Sequence, residues 1–316
     1  MTDQGTVPKV GAVWLVLLLG VLAVSTAAIF IRLAMASAGA QGIGFSIFLA
    51  ATRLGLAALV LIPIWGEIAR VEYCRSAYGY AIAAGVALAL HFSLWISSLS
   101  FISIAASTSL VTTNPIWVAL IAWFWLGERL TRRMVWGIGL GVLGSLLVAW
   151  GDGSSSGDIA GTNAAPWLGS LLALVGSWLV SFYLLWGREA QKRGLTLQHY
   201  VAIAYSTAAI LLLPLPLLFG IHYVGYPLAT YGYIAAMTAI AQLFGHTSLN
   251  WAMRWLPPVA VTLVILLEPI GSSLLGFIFL GEIPSLSVIL GGSIIFLGVA
   301  IAVLPTRTSS SSEIKK

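Results

Sequence analysis

Ten apolar runs, each about as long as a lipid bilayer is thick, follow one another along this chain with only short polar joints between them. A membrane helix needs roughly 20 apolar residues to cross about 30 Å of hydrocarbon. Runs of that length lie near 11–36, 44–65, 77–100, 104–126, 132–150, 166–187, 198–220, 228–253, 257–280 and 284–304. The chain is 59% hydrophobic and 8% charged, whereas a soluble protein carries about a quarter charged residues to cover its surface. It therefore reads as an all-α polytopic membrane protein. The first run reads as a span and not a leader, because no small-residue cleavage pattern leads into a polar segment.

The joints carry turn chemistry: Gly39 to Gly44, the run Gly151-Asp152-Gly153-Ser154-Ser155-Ser156-Gly157, Pro257-Pro258, and Pro284. The Ser-rich joint is the longest and splits the chain into 1–150, a linker over 151–165, and 166–304; the polar tail 305–316 reads as disordered. The halves share a motif. Thr113-Asn114-Pro115 leads through an apolar stretch to Leu126-Gly127-Glu128, and Leu267-Glu268-Pro269 leads through another to Leu280-Gly281-Glu282. A repeat with half the chain as its period marks two like units and not a solenoid.

Lys and Arg concentrate in cytoplasmic loops, and here their placement is one-sided. Thirteen of the fifteen fall at the amino terminus, in the loops after spans two, four, six and eight, and in the tail; the two others are Arg32 and Arg53. Both termini are thus expected in the cytoplasm, which agrees with an even span count. Five spans per half is odd, so the second half must cross upside down relative to the first. The expected architecture is ten transmembrane helices arranged as two inverted five-helix repeats, the pattern of secondary transporters that bracket a site near the midplane.

Ionisable groups inside spans are costly and point to function. Glu268 is the only acid of the ten outside loops and termini; it reads as a proton-titrating or cation-coordinating group, or as a structural partner of Arg53, midway along span two. Arg53 itself reads either as that structural partner or as a fork for a substrate carboxylate. Arg32 is expected to snorkel to the interface or to sit at a cavity mouth. His91 precedes Trp95 by four residues and His246 precedes Asn250 by four, so each pair shares a helix face. With Asn114 and Gln242 they form a candidate polar lining, against the plainer reading of interhelical hydrogen bonds.

Among the aromatic residues, Trp14, Trp136 and Trp167 fit an interfacial belt, whereas Trp95, Trp117, Trp178 and Tyr183 lie deeper and are pocket candidates, with packing as the plainer role. Pro115 and Pro269 each remove an amide in mid-span, so each is an expected kink, hinge or binding-site edge. Glycine-dense spans five and ten read as scaffold. The single cysteine, Cys74, excludes an internal disulfide and a cysteine-built zinc site. No metal or cofactor is implied, and nucleic acid is not an expected partner despite the net charge of +5, because the bases sit in inter-span clusters.

The paired proline-to-Gly-Glu segments, Ala51-Thr52-Arg53-Leu54, and the stretch from His91 through Ser109 to Pro115 resemble the drug/metabolite transporter superfamily and its EamA-type ten-span carriers. Where that family commonly shows Trp-Gly in span one, this chain has Val24-Ser25. The resemblance implies a bacterial inner-membrane exporter working by alternating access, with spans five and ten set back from a central cavity. The deep aromatics bring it nearest to the YddG-type exporters of aromatic and neutral amino acids, with protons as a coupling ion. A channel or lipid scramblase keeps the architecture without alternating access. A membrane-embedded enzyme is the remaining class; the chain has no His-Glu-x-x-His zinc helix, and catalysis would not explain inverted halves.

Overall fold

The computed structural model describes residues 8–127, 129–153, 165–281 and 283–303. Among them every regular element is helical. Eight helical stretches are long and apolar enough to cross a membrane: Val10–Ala38, Ile43–Val60, Arg75–Ser98, Ile104–Trp125, Pro166–Lys192, Leu197–Leu218, Leu228–Trp255 and Pro258–Leu280. Leu286–Ala302 is apolar but shorter. The chain is a multi-pass membrane protein. The Ser-rich joint from 154 and the tail from 304 lie outside the described residues, as do the motif acids Glu128 and Glu282.

Five of these stretches are not continuous α-helices, the sixth parting at Leu213-Pro214. The first divides at Thr26 into α1 (Val10–Ser25) and α2 (Ala27–Ala38), with the Thr26 hydroxyl donating to Ala23 O at 2.7 Å. After α3 (Ile43–Val60), the short α4 (Ile62–Ile68) and α5 (Arg75–Ser98), the motif prolines act more strongly than a kink. The fourth stretch ends as α6 (Ile104–Val111) and restarts as α7 (Asn114–Leu126). Proline then occupies the first turn of the new helix, where its missing amide costs nothing. Thr112 and Thr113 fill the gap by donating to Thr108 O and Leu110 O, both at 2.7 Å.

The second copy of the motif is built alike. Beyond α8 (Arg132–Gly153), α9 (Pro166–Lys192), α10 (Leu197–Leu212) and α11 (Leu215–Leu218), the seventh stretch runs as α12 (Leu228–Met237), a π-helix over Thr238–His246, and α13 (Thr247–Trp255). The eighth breaks between α14 (Pro258–Ile265) and α15 (Glu268–Leu280). Helices α7 and α15 have 13 residues each and end at glycines in the left-handed region, Gly127 at φ 65° and Gly281 at φ 70°. A side chain is disfavoured there, which explains why both copies carry glycine.

The last helix, α16 (Leu286–Val303), packs on α8 through backbone contact. A Cβ on Gly144 would lie 2.5 Å from Gly291 O, and one on Gly291 2.5 Å from Gly144 O. Gly137 and Gly298 meet in the same way. Without a hydrophobic drive between helices in lipid, such close approach is what holds them. Gly291→Ala is therefore expected to lower the thermal midpoint of the purified protein by an overpacking penalty of about 1–3 kcal/mol. An unchanged midpoint would mean that α8 and α16 do not touch in this way.

Candidate functional site

Three of the helix breaks and the π-helix converge on one small cavity beside α5 and α9. Its walls are Val24 and Ala27 from the first break, Val111, Thr112 and Asn114 from the second, and Ile265 and Glu268 from the third. His91 and Trp95 of α5, Val180 and Leu184 of α9, and His246 and Leu249 complete it. Irregular backbone at membrane depth is tolerated where it lines a polar cavity, so the interruptions and the cavity explain each other. The free volume is about 30 Å³, room for about two water molecules. A larger solute requires the walls to part.

The lining holds more hydrogen-bonding capacity than it uses. His91 Nδ1 bonds to Gly176 O at 2.9 Å, and its ring stacks on Trp95 at 6.0 Å with the planes 5° apart. Trp95 Nε1, Asn114 Oδ1 and His246 Nδ1 are buried without a partner. The Glu268 side chain is 9% exposed, and its carboxylate makes no hydrogen bond or ion pair among the described residues, although the backbone carbonyl of Glu268 accepts from Ser25 Oγ at 3.4 Å. Buried polar groups normally find partners. A cluster of unsatisfied ones around a cavity is what a polar solute would complete.

Arg53 lies behind this wall and is fully buried. The expected ion pair with Glu268 is not formed: the two interact electrostatically but stand beyond salt-bridge reach. Arg53 Nε instead donates to Gln242 Oε1 at 2.8 Å, and the guanidinium carbon lies 4.1 Å from the centre of the Phe92 ring. That ring meets His246 edge-on at 5.2 Å. Nη1 and Nη2 of Arg53 have no partner. Phe92, absent from the sequence-level candidates, thus links the buried cation to the cavity histidine; a phenylalanine beside a membrane histidine carries no signal of its own.

The π-helix decides which polar residues face the same way. In a regular α-helix Gln242 and Asn250 would be about 80° apart around the axis. Widening one turn to about 4.4 residues turns Gln242 back by roughly that amount, so Gln242, His246 and Asn250 form one stripe. Tyr205 donates to Gln242 O at 3.4 Å and shares a 3.2 Å bond with Thr247 Oγ1, clamping the turn. Asn250 sits behind the lining: Nδ2 bonds to the Tyr183 hydroxyl and to His246 O, and the Tyr183 ring is 6.2 Å from His246. Gln242, Asn250 and Tyr183 are supports of the wall and not part of it.

Two aromatic candidates fall elsewhere. Trp178 is 44% exposed and packs edge-on against Phe182; it is two residues from Val180, about 200° around the helix, and so faces away from the cavity. Trp117 is half-buried outside the lining, with Nε1 unpartnered. Arg32 does not line the cavity: it is half-buried, and its Nη2 donates to Ile102 O at 3.0 Å, fastening α2 to the turn after α5. His91 and Trp95, expected on one helix face, stack on each other. Of the nine candidate lining residues, His91, Trp95, Asn114 and His246 reach the cavity, and Glu268, a separate candidate for coupling, joins them there.

Broken spans around a cavity that mixes apolar walls with a few buried polar groups fit a transporter. A profile described as the EamA-like transporter family matches residues 11–150 and again 167–304, and the chain belongs to that family, within the drug/metabolite transporter superfamily. The chain is 25% identical over 238 residues to the pseudopaline exporter CntI of Pseudomonas aeruginosa, covering 75% of this chain and 78% of that protein. It is 26% identical to the uncharacterized transporter YwfM of Bacillus subtilis, covering 80% of this chain and 82% of the other. A shorter match, 29% identical over 27% of this chain and 74% of the relative, is to the probable 4-amino-4-deoxy-L-arabinose-phosphoundecaprenol flippase subunit ArnE of Pectobacterium atrosepticum. One crystal structure superposes with a TM-score of 0.68 at 20% identity over 93% of this chain and 97% of that chain, a likeness of fold alone.

Proposed function

We propose that the protein is a secondary transporter of the bacterial inner membrane that exports small metabolites, foremost aromatic and neutral amino acids, by alternating access around the central cavity. In this reading ten spans form two inverted halves with both termini in the cytoplasm, and Glu268 carries the coupling proton. The observation that carries it is the cavity itself, a small space walled by residues at three helix breaks and lined by buried hydrogen-bonding atoms without partners. A space of about 30 Å³ favours a carrier that opens to one side at a time over a standing pore. The names of the relatives, an exporter and a flippase subunit, support outward movement of polar solutes. The one-sided placement of basic residues supports the orientation.

Counterflow of labelled L-phenylalanine in proteoliposomes tests the proposal. Saturable exchange is expected, with Trp95→Leu lowering it about tenfold or more and outward-facing Trp178→Leu leaving it near the parent rate. A tenfold change corresponds to about 1.4 kcal/mol, within reach of one aromatic contact. Flux that rises linearly without saturating would replace the carrier with a channel. Saturable exchange of other solutes but not of amino acids would overturn the substrate assignment alone.

A further inference from the structure

A second cavity, of about 190 Å³, opens at the base-rich ends of α5, α7 and α9. Tyr80, Trp125, Trp186 and Leu185 wall it, with Glu189 and Arg193 at its rim. These are the helices that carry His91, Asn114 and Leu184 into the central cavity. Tyr80 lies 11 residues before His91 and Trp125 lies 11 after Asn114, so these pairs of lining residues are about 16 Å apart along their helices. On α9 they are divided by adjacent buried residues, Leu184 facing one and Leu185 the other.

The chemistry of the second space is defined. Trp125 and Trp186 meet at 83° with centres 6.4 Å apart, and the Arg193 guanidinium lies 4.2 Å from the Tyr80 ring centre. Both oxygens of Glu189 are taken, one by Lys192 Nζ at 3.0 Å and the other by Arg193 Nη1. Two cations against one carboxylate leave a positive excess. An incoming cation finds the acid occupied; Arg193 Nη1 is committed to Glu189 too, donating to its carbonyl at 3.1 Å and to its carboxylate, so an incoming carboxylate would bond through the other N–H groups of the guanidinium. Aromatic walls of this kind suit a flat ring.

We propose that this cleft is a loading site for small aromatic carboxylates, which dock there before passing the Leu184–Leu185 layer to the central cavity. The proposal rests on the transport reading for its direction, but its binding step can be measured alone. Cys74, the only cysteine, is exposed and lies 3.8 Å from Arg193 O. Its thiol is held below the usual range by the Ser76 hydroxyl and the Ala77 amide, which favours labelling.

The test is a titration of the full chain, labelled at Cys74 with an environment-sensitive dye in phosphatidylcholine nanodiscs, with phenylacetate. A saturable signal is expected, with cyclohexylacetate needing about tenfold more ligand and acetate giving none. Trp186→Leu and Arg193→Gln each should raise the midpoint about tenfold or more, whereas outward-facing Trp178→Leu should leave it unchanged. Equal midpoints in the parent and in both cleft variants would overturn the site, and so would a response to short-chain phosphatidylglycerol that phenylacetate fails to compete. If Arg193→Gln does not fold, Trp186→Leu, two turns earlier on α9, decides. Loss of counterflow with this isotherm intact would sink the transport reading and leave the cleft standing.

Discussion

Glu268→Gln is expected to cut counterflow at least about tenfold and to flatten its pH profile between roughly pH 5 and 8, while the protein folds as well as the parent. Glutamine keeps the shape of the side chain and removes only the charge and the proton. No hydrogen bond or ion pair holds the Glu268 carboxylate among the described residues, so folding loses little by the exchange. An unpaired carboxylate in a nearly dry site is itself a burden on stability, and the thermal midpoint of the Gln variant should equal or exceed that of the parent. The carboxylate is the only acid in the cavity lining, hence the only place there for a coupling proton on a carboxyl group. A folded Gln variant with parental rates across that pH range would remove Glu268 from the coupling mechanism.

The second large effect is expected at Arg53. Arg53→Met should keep or raise the thermal midpoint and yet abolish transport. Two guanidinium nitrogens are buried without partners, and a buried charge left largely unpaired costs several kcal/mol, which a well-packed apolar side chain avoids. The losses to set against this are the bond to Gln242, about 1–3 kcal/mol, and the cation–π contact with Phe92, about 0.5–2 kcal/mol. Function should suffer because the cation lies against Phe92, which packs on His246 at the cavity wall. A structural role predicts the reverse: the Met variant would fail to fold, and combining Arg53→Glu with Glu268→Arg would restore it. Thermal shift and counterflow on the same preparations separate the two outcomes.

Much of this organisation is legible in the residues because hydrocarbon leaves few choices. Long apolar runs must become helices, and the unusual residues within them stand out against an apolar background. Glu268, His91, His246 and Asn114 are visible for that reason. The two motif glycines were legible as a repeat, and their left-handed backbone supplies the cause. The phase of each helix was harder to read. Helix α9 carries apolar residues on every side, so nothing in its pattern says that Val180 faces the cavity and Trp178 faces outward. The widened turn at Thr238–His246 is invisible too, because the π form depends on what Arg53 and Tyr205 hold in place. Glu189 looked like a loop residue until α9 was seen to run on to Lys192.

By itself the sequence determined the membrane setting, the helical class, the paired halves and the few polar residues that hydrocarbon would not tolerate without purpose, since each follows from the cost of burying charge or unpaired backbone. Only the tertiary structure decided that prolines break their helices outright, that Arg53 turns to Gln242 and Phe92 and leaves Glu268 unpaired, and that two cavities share three helices. Those outcomes depend on contacts between segments far apart in the chain, where side-chain reach and the angle of each helix about its axis choose among partners that composition and spacing leave equal.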